Sequence, residues 1–147
     1  MLRVPLHQLD QALPVPRYAR PGDAGADLVA RVDTVLACRG GRAVVPTGVA
    51  VAIPAGYAGL VLPRSGLAVR HGVTCLNAPG LVDAGYRGEL QVVLVNHDPE
   101  ADYAVSRGDR IAQLVLVAVE DVAFELVREE DLGASERGTG GFGHTGT

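Results

Sequence analysis

The sequence contains no lysine, so all 13 of its basic residues are arginines. With 17 aspartates and glutamates, the formal net charge is −4 at pH 7. General nucleic-acid binding usually needs a basic surface, and we therefore expect no nucleic-acid partner. A small anionic ligand requires only a few local arginines, so this class of ligand stays open.

Cysteine and long apolar runs are also scarce. The two cysteines, Cys38 and Cys75, do not have the spacing of a zinc or redox motif, and two buried reduced thiols are the simpler interpretation. Apolar residues make up 48% of the chain, but no run of them is long enough to span a membrane. Residues 1–20 lack the apolar core of a signal peptide. We therefore expect a cytoplasmic protein with no membrane partner.

The chain is rich instead in short apolar segments that glycine and proline separate. Its 147 residues predict one domain with a core of its own. Frequent strands with frequent turn residues indicate an all-β barrel or sandwich rather than alternating strands and helices. The predicted strands are Val44–Ile53, Gly59–Leu62, Leu90–Val95, Ile111–Val119 and Val122–Val127.

One short helix and a glycine-rich tail complete the predicted organisation. Ser65 is the expected N-cap of a helix from Gly66 to His71, which Gly72 would end. Residues 137–147 are nearly half glycine, a composition that cannot order itself by burial. We interpret residues 1–136 as the β domain and residues 137–147 as a flexible arm. A solvated tail and a lid that closes over a ligand are both open, and Phe142 favours the lid.

The segment Gly80–Asn96 is the most informative stretch of the sequence. Asp83 and Tyr86 lie on a turn that glycines punctuate, directly before an apolar strand. This pattern predicts a tight hairpin. Such a hairpin would hold a carboxylate and an aromatic ring against a small ligand.

Two other segments carry polar groups near predicted turns. Asp27 follows a glycine turn, a position where an ordinary turn former is also common. Arg64 and Ser65 stand at the start of the predicted helix, where they form either an anion site or a simple cap.

Three further polar positions have equally simple structural alternatives. Gln113 fits an exposed strand face, and Asp109 with Arg110 fits a surface pair of little energetic value. Asn77 either shapes a turn or reads a base edge, because its amide both donates and accepts.

Five segments, taken in order, resemble the five motifs of the trimeric dUTPase family. They are AGADL, PRSGLA, GLVDAGYRGELQV, RGDRIAQLV and RGTGGFGHTG. The similarity extends from about Pro21 to the C-terminus, and the five motifs in order are far more specific than any one alone. The resemblance implies a distorted jelly-roll or β-barrel subunit of the β-clip kind. It also implies a homotrimer whose active sites are shared between subunits.

The implied reaction is the hydrolysis of dUTP to dUMP and pyrophosphate with Mg²⁺ on the triphosphate, which keeps uracil out of DNA and supplies dUMP for dTMP synthesis. By resemblance, Asp83 would activate the attacking water. Tyr86 would lie under the deoxyribose and leave no room for a 2′-hydroxyl. Uracil would be read by Asn77 and by the backbone near Leu81 and Val82.

The resemblance also assigns the triphosphate and the tail. The phosphates would be held by Arg64, Ser65, Gly66 and Gln113, and Asp27 would reach Mg²⁺ through water. From the arm, Arg137 would clamp the phosphates, while Phe142 and the adjoining Gly143 would close over the uracil. Gln91 aligns with a variable position near the nucleotide.

Other functions are weighed against this one. dCTP deaminases, including bifunctional forms that also hydrolyse dUTP, are similar over Gly80–Asn96. They carry a catalytic glutamate where this chain has Val93, which is unable to act as an acid or base. A catalytically inactive nucleotide-binding regulator is a further alternative, although no motif is missing. A plain structural β domain would leave the five ordered motifs unexplained.

Overall fold

The computed structural model describes residues 1–135 and 138–139. The described part contains ten strands, one α-helix and one short 3₁₀ turn at Glu129–Leu132. The elements are β1 (Leu6–Gln8), β2 (Ala26–Val29), β3 (Thr34–Leu36), β4 (Gly41–Val51), β5 (Tyr57–Leu62), α1 (Ser65–His71), β6 (Val73–Cys75), β7 (Gly80–Val82), β8 (Glu89–Asn96), β9 (Tyr103–Val105) and β10 (Arg110–Ala118).

The strands form two four-stranded sheets and a two-stranded ribbon. One sheet has the order β1-β4-β8-β6, the other has the order β2-β10-β5-β7, and β3 pairs with β9. Their pairings are antiparallel throughout. This arrangement confirms the predicted all-β, jelly-roll-like fold with one short helix.

A single core is buried between the sheets and the ribbon. Leu28 and Ile111 come from one sheet, Leu90 and Leu94 from the other, and Leu36 from the ribbon. Each of these side chains is at most 2% exposed. Full burial of such a side chain stabilises the fold by about 1.5–3 kcal/mol. The sheets are therefore held rigidly enough to position side chains at their edges.

Four of the five predicted strands are present as β4, β5, β8 and β10, with no end shifted by more than three residues. The fifth prediction, Val122–Val127, is wrong. Residues 119–128 have no regular structure, and the side chains of Phe124 and Leu126 are 97% and 99% exposed. The segment has the alternation of a strand, but no described strand of the same chain pairs with it.

The helix is present, but its predicted cap is wrong by one residue. Helix α1 begins at Ser65, and the N-cap is Arg64, which makes no side-chain capping bond. Ser65 is therefore a helical residue with its hydroxyl free of a capping role. Gly72 ends the helix as predicted, because its φ of 63° is left-handed and its N–H bonds the carbonyls of the last turn.

The predicted hairpin over Gly80–Asn96 is also wrong. Strand β7 pairs with β5, whereas β8 pairs with β4 and β6 in the other sheet. Residues 83–88 thus connect the two sheets, through a turn in which Tyr86 N donates to Asp83 O at 3.0 Å. Glycines would mark the turn both in a hairpin and in a connection between sheets. The burial of the flanking apolar residues decides which strands pair.

The cysteines differ in their surroundings. Cys75 is buried, and burial raises the pKa of its thiol to about 11. Cys38 is only half-buried, which corrects the expectation that both are buried, and both thiols are free. No helix among residues 1–135 is long and apolar enough to cross a membrane.

Candidate active site

Four of the five motif segments lie side by side in one sheet. Strand β2 carries Asp27, β10 carries Gln113, β5 leads into Arg64, and β7 leads into Asp83. Asp27 lies opposite Gln113, and Gln113 lies opposite Leu62 on its other side. Segments far apart in sequence are thus brought together by the order β2-β10-β5-β7.

A cavity of about 410 Å³ opens where β5 ends and α1 begins. We call it the Arg64 cavity. It brings together five of the predicted site residues, and it also contains an arginine that the sequence did not assign to a site. Its lining includes Asp27, Arg64, Ser65, Gly66, Gln113 and Arg110.

The charged groups of the Arg64 cavity form a bridged set. Arg64 Nε lies 3.2 Å from Asp27 Oδ1, and Arg110 Nη1 lies 3.2 Å from Asp27 Oδ2. Arg64 Nη1 also donates to the Arg110 carbonyl oxygen at 3.1 Å. One carboxylate thus holds two guanidiniums side by side. Asp23 also lines the cavity, so two aspartates balance its two arginines, and the guanidiniums offer clustered hydrogen-bond donors rather than a net positive charge. This arrangement suits an anionic ligand that brings several oxygens.

Gln113 is held over the backbone of Gly25. Its Nε2 donates to the Pro63 carbonyl oxygen at 3.0 Å, which ties β10 to the segment before the helix. A Cβ on Gly25 would overlap Gln113 Oε1 and come within 2.9 Å of Cδ. The second residue of the AGADL segment must therefore be glycine for the amide to keep this position.

A second cavity, of about 180 Å³, lies at the turn after β7. We call it the Asp83 cavity, and it is lined by Leu81, Val82, Asp83, Tyr86, Leu90 and Gln91. The Asp83 carboxylate makes no hydrogen bond or ion pair with any described residue, so its oxygens are free to accept from a ligand or a water. Tyr86 is 44% exposed, which leaves part of its ring open to a ligand.

Asn77 lies beside the start of β7. Its Nδ2 is 3.3 Å from the place where a Cβ on Gly80 would stand, so the amide lies against the glycine backbone. Both Asn77 and Leu81 are exposed. The amide and the β7 backbone are therefore within reach of one ligand.

The two cavities of one chain are separate. They share no lining residue. Val82 pairs with Gly59, whereas the Arg64 cavity lies beyond Leu62. Asp83 is thus displaced from Leu62 by about four residues, or roughly 13 Å along the strand direction. The two cavities are therefore distinct parts of the surface of one chain.

Three predicted residues of the arm, Arg137, Phe142 and Gly143, lie outside the described residues. Arg110 was not among the predicted site residues, because its position beside Asp109 in the sequence suggested only a surface pair. The Asp109 carboxylate instead accepts a hydrogen bond from Ser106 N at 2.8 Å. The pairing of β10 with β2 turns Arg110 toward Asp27, and that pairing is not readable from local sequence.

The donor set is poor for a bare metal ion. Among residues 1–135 and 138–139, no group of three or more His, Cys, Asp or Glu side chains is placed to hold one. Asp27 is a single carboxylate with two arginine partners. Such a site fits Mg²⁺ that keeps its waters and arrives on phosphate oxygens, rather than Mg²⁺ in a protein cage.

Comparison with known proteins decides the family. The family model described as dUTPase matches residues 11–146. The chain belongs to the dUTPase family. A deoxyuridine 5'-triphosphate nucleotidohydrolase of Thermobifida fusca is 59% identical over 145 residues, covering 99% of this chain and 79% of the relative. One of Streptomyces coelicolor is 56% identical over 145 residues, covering 99% of this chain and 78% of the relative.

Solved structures of the family share the fold. The Staphylococcus bacteriophage 80alpha dUTPase, solved with dUPNHPP, has a TM-score of 0.87 at 30% identity and covers the whole of both chains. A mutant dUTPase from phage phi11 of S. aureus, in which the coordination of a structural Mg(II) ion was described, has a TM-score of 0.78 at 27% identity. That match covers 87% of this chain and 98% of the phage chain. The resemblance drawn from the five motifs is thereby confirmed.

Proposed function

We propose that this chain hydrolyses dUTP to dUMP and pyrophosphate, at a site built from the Arg64 cavity of one copy and the Asp83 cavity of another. The observation that supports this most is the placement of four motif segments in one sheet with two complementary cavities. One cavity offers two guanidiniums held side by side, and the other offers a free carboxylate beside an aromatic ring. Removal of dUTP by this reaction keeps uracil out of DNA.

The Arg64 cavity binds the phosphates. Arg64 and Arg110 are fixed by their shared partner Asp27, so little side-chain entropy is lost when they meet phosphate oxygens. Ser65 and Gly66 line the same cavity, and the Ser65 hydroxyl has no capping bond to break. Gln113 adds an amide that Gly25 and Pro63 hold in place.

The Asp83 cavity carries out the chemistry and reads the nucleoside. The Asp83 carboxylate accepts a proton from the water that attacks the α-phosphorus. Tyr86 lies under the deoxyribose and excludes a 2′-hydroxyl. Asn77 and the backbone of Leu81 and Val82 recognise uracil, and a rigid strand here rejects the methyl group of thymine by exclusion. Gln91 lines the cavity near the nucleotide.

Asp27 is the residue that would hold Mg²⁺, through a water, since its oxygens already pair with two guanidiniums. The metal would supply neutralisation of the charge on the triphosphate. The role of this chain is to hold the phosphate chain in one position, which is the main contribution expected in phosphoryl chemistry.

We infer that the working enzyme is a homotrimer with shared sites. The separation of the two cavities within one chain supports sharing of the site with a second copy, because the base and the phosphates belong to one substrate. The exposed segment at Val122–Val127 supports this, since an apolar strand pattern that pairs with no described strand of its own chain is suited to another copy. Size-exclusion chromatography with light scattering tests the number of subunits.

The arm completes the site in this proposal. Arg137 clamps the phosphates, and Phe142 with Gly143 covers the uracil and excludes water. The boundary between a β domain at residues 1–136 and an arm at residues 137–147 is part of the same proposal. Limited proteolysis with and without a non-hydrolysable dUTP analogue tests it, because a bound arm is protected.

A pyrophosphate-release assay with dUTP, dCTP, dTTP and UTP, with and without Mg²⁺, tests the function directly. We expect release from dUTP alone, and only with Mg²⁺. Ammonia release from dCTP would favour a deaminase, which the apolar Val93 on β8 argues against. Binding of dUTP without turnover would instead indicate a regulator. Cytoplasmic location stays a prediction, and cell fractionation tests it.

A further inference from the structure

Tyr86 is held by its neighbours on the turn that precedes β8. Its hydroxyl donates to the Glu89 carbonyl oxygen at 2.9 Å. The ring lies against Gly88, where a Cβ would overlap the hydroxyl and come within 2.6 Å of Cζ. The position of the ring is therefore coupled to the backbone position of Glu89.

The backbone at the start of β8 is not held by a regular ladder. The pairing of β4 with β8 contains a bulge between Pro46 and Ala50. Gly48, inside the bulge, has a φ of 77°, which favours glycine. A bulge interrupts the ladder and redirects nearby groups. A side-chain hydrogen bond replaces part of the interrupted β4–β8 ladder, since Thr47 Oγ1 donates to the Leu90 carbonyl oxygen at 2.7 Å.

The Glu89 carboxylate fills the remaining gap in the ladder. Gly48 N donates to Glu89 Oε1 at 2.7 Å, and Arg31 Nη1 lies 3.3 Å from both carboxylate oxygens. The Glu89 side chain is only 18% exposed. Arg31 is steadied in turn by Asp10, 3.6 Å from its Nε. The carboxylate thus anchors the residue whose carbonyl receives the Tyr86 hydroxyl.

We propose that Glu89 is a positioning residue that fixes the Tyr86 ring and thereby determines the preference for deoxyribonucleoside over ribonucleoside triphosphates. The inference rests on the proposed role of Tyr86 under the sugar. A ring excludes a hydroxyl group only if it does not yield by a fraction of that group's size. Glu89 supplies the stiffness and does not touch the substrate.

The test is a double-mutant cycle on substrate preference. kcat/KM is measured for dUTP and for UTP in the wild type, Glu89→Ala, Tyr86→Phe and the double variant. Each single change is expected to lower the ratio of dUTP to UTP by about 5- to 30-fold, as expected for one lost hydrogen bond. The double variant is expected to have the same dUTP-to-UTP ratio as the more severe single variant, because both changes break one connection.

Two controls separate positioning from general stability. Glu100→Ala changes an exposed glutamate whose carboxylate has no described partner, and it is expected to keep the wild-type ratio. Glu89→Gln keeps an acceptor for Gly48 N and is expected to recover most of the ratio. If Glu89→Ala does not fold, Glu89→Met takes its place in the cycle, since it also removes the acceptor for Gly48 N and the ion pair with Arg31 but keeps most of the side-chain volume.

The outcomes distinguish this inference from the proposed function. A wild-type ratio in a folded Glu89→Ala protein, or additive effects in the double variant, would overturn the positioning role. Tyr86→Ala is run in parallel. If that variant discriminates dUTP from UTP as well as the wild type does, the role of Tyr86 under the sugar is wrong, and the inference goes with it. If only the Tyr86 variants change the ratio, the proposed function stands and this inference does not.

Discussion

Gly25→Ala tests the construction of the Arg64 cavity, because a single methyl group would displace the Gln113 amide. The added Cβ would overlap Gln113 Oε1 and stand 2.9 Å from Cδ and 3.1 Å from the Gln113 Cβ. The amide end of the side chain is flexible, so it is the part that moves. Its hydrogen bond to the Pro63 carbonyl at 3.0 Å would be lost in the process.

The expected effects of Gly25→Ala follow from the contacts of Gln113 in the free protein and in the complex with substrate. Loss of the bond to Pro63 costs about 0.5–1.5 kcal/mol of folding stability. A displaced amide also loses its hydrogen bond to a charged phosphate, worth about 1.5–3 kcal/mol, so kcat/KM for dUTP falls by about 10- to 150-fold. Steady-state kinetics of pyrophosphate release and thermal unfolding measure the two effects.

The matched control for Gly25→Ala is the same change in a Gln113→Ala background. If the clash with the amide is the cause, Gly25→Ala lowers kcat/KM no further once that amide is absent. An undiminished kcat/KM in Gly25→Ala alone would refute the reasoning. So would an equal further loss in the Gln113→Ala background, since the glycine would then matter for another reason.

The remaining predictions concern the base, the arm and acid stability. Asp83→Asn is expected to keep the fold and dUTP binding but to lose roughly 10²- to 10⁴-fold in turnover, and near-normal turnover would remove Asp83 from the role of base. Truncation before Arg137 should preserve the oligomer and cripple catalysis, whereas full activity would rule out a lid. The Arg107 guanidinium, hydrogen-bonded to Asp10 at 2.8 Å, lowers the pKa of that carboxyl. The ionised Asp10 carboxylate therefore stabilises the fold above about pH 4, and this stabilisation is lost as the pH falls further. In a plot of Tm against pH, Asp10→Asn should make the decrease of Tm at acidic pH less steep. An unchanged decrease would contradict this.

The long strands are readable from the sequence because they bury alternate residues in one core. Strand β8 buries Leu90, Val92 and Leu94 on one side, and this period predicts it within a residue at each end. The short strands, such as β7 at Gly80–Val82, have only three or four residues, too few for a period to appear. The segment Val122–Val127 has the period without the strand, because pairing requires a neighbouring strand, and residues 1–135 offer none to it.

Site residues could be predicted where the residue type and its neighbours in sequence identify them. They could not be predicted where strand pairing brings distant residues together. Asp83 and Tyr86 stand out as a carboxylate and a ring between glycines. Arg110 does not, because its partner Asp27 is 83 residues away and becomes its neighbour only when β10 pairs with β2. Glu89 is hidden for a similar reason, since its anchor is a bulge in β4 that no local pattern marks.

Sharing of the site between copies is the central claim, and complementation tests it most directly. Asp83→Asn and Arg64→Gln chains are coexpressed with different tags, and mixed oligomers are purified through both tags. A cyclic trimer with two chains of one kind and one of the other has about one intact site in three, so about one third of wild-type turnover is expected. A mixture of Asp83→Asn with Asp83→Ala is the control and should stay inactive. No turnover in the Asp83→Asn and Arg64→Gln mixture would contradict the account, because it would place both residues in the site of one chain.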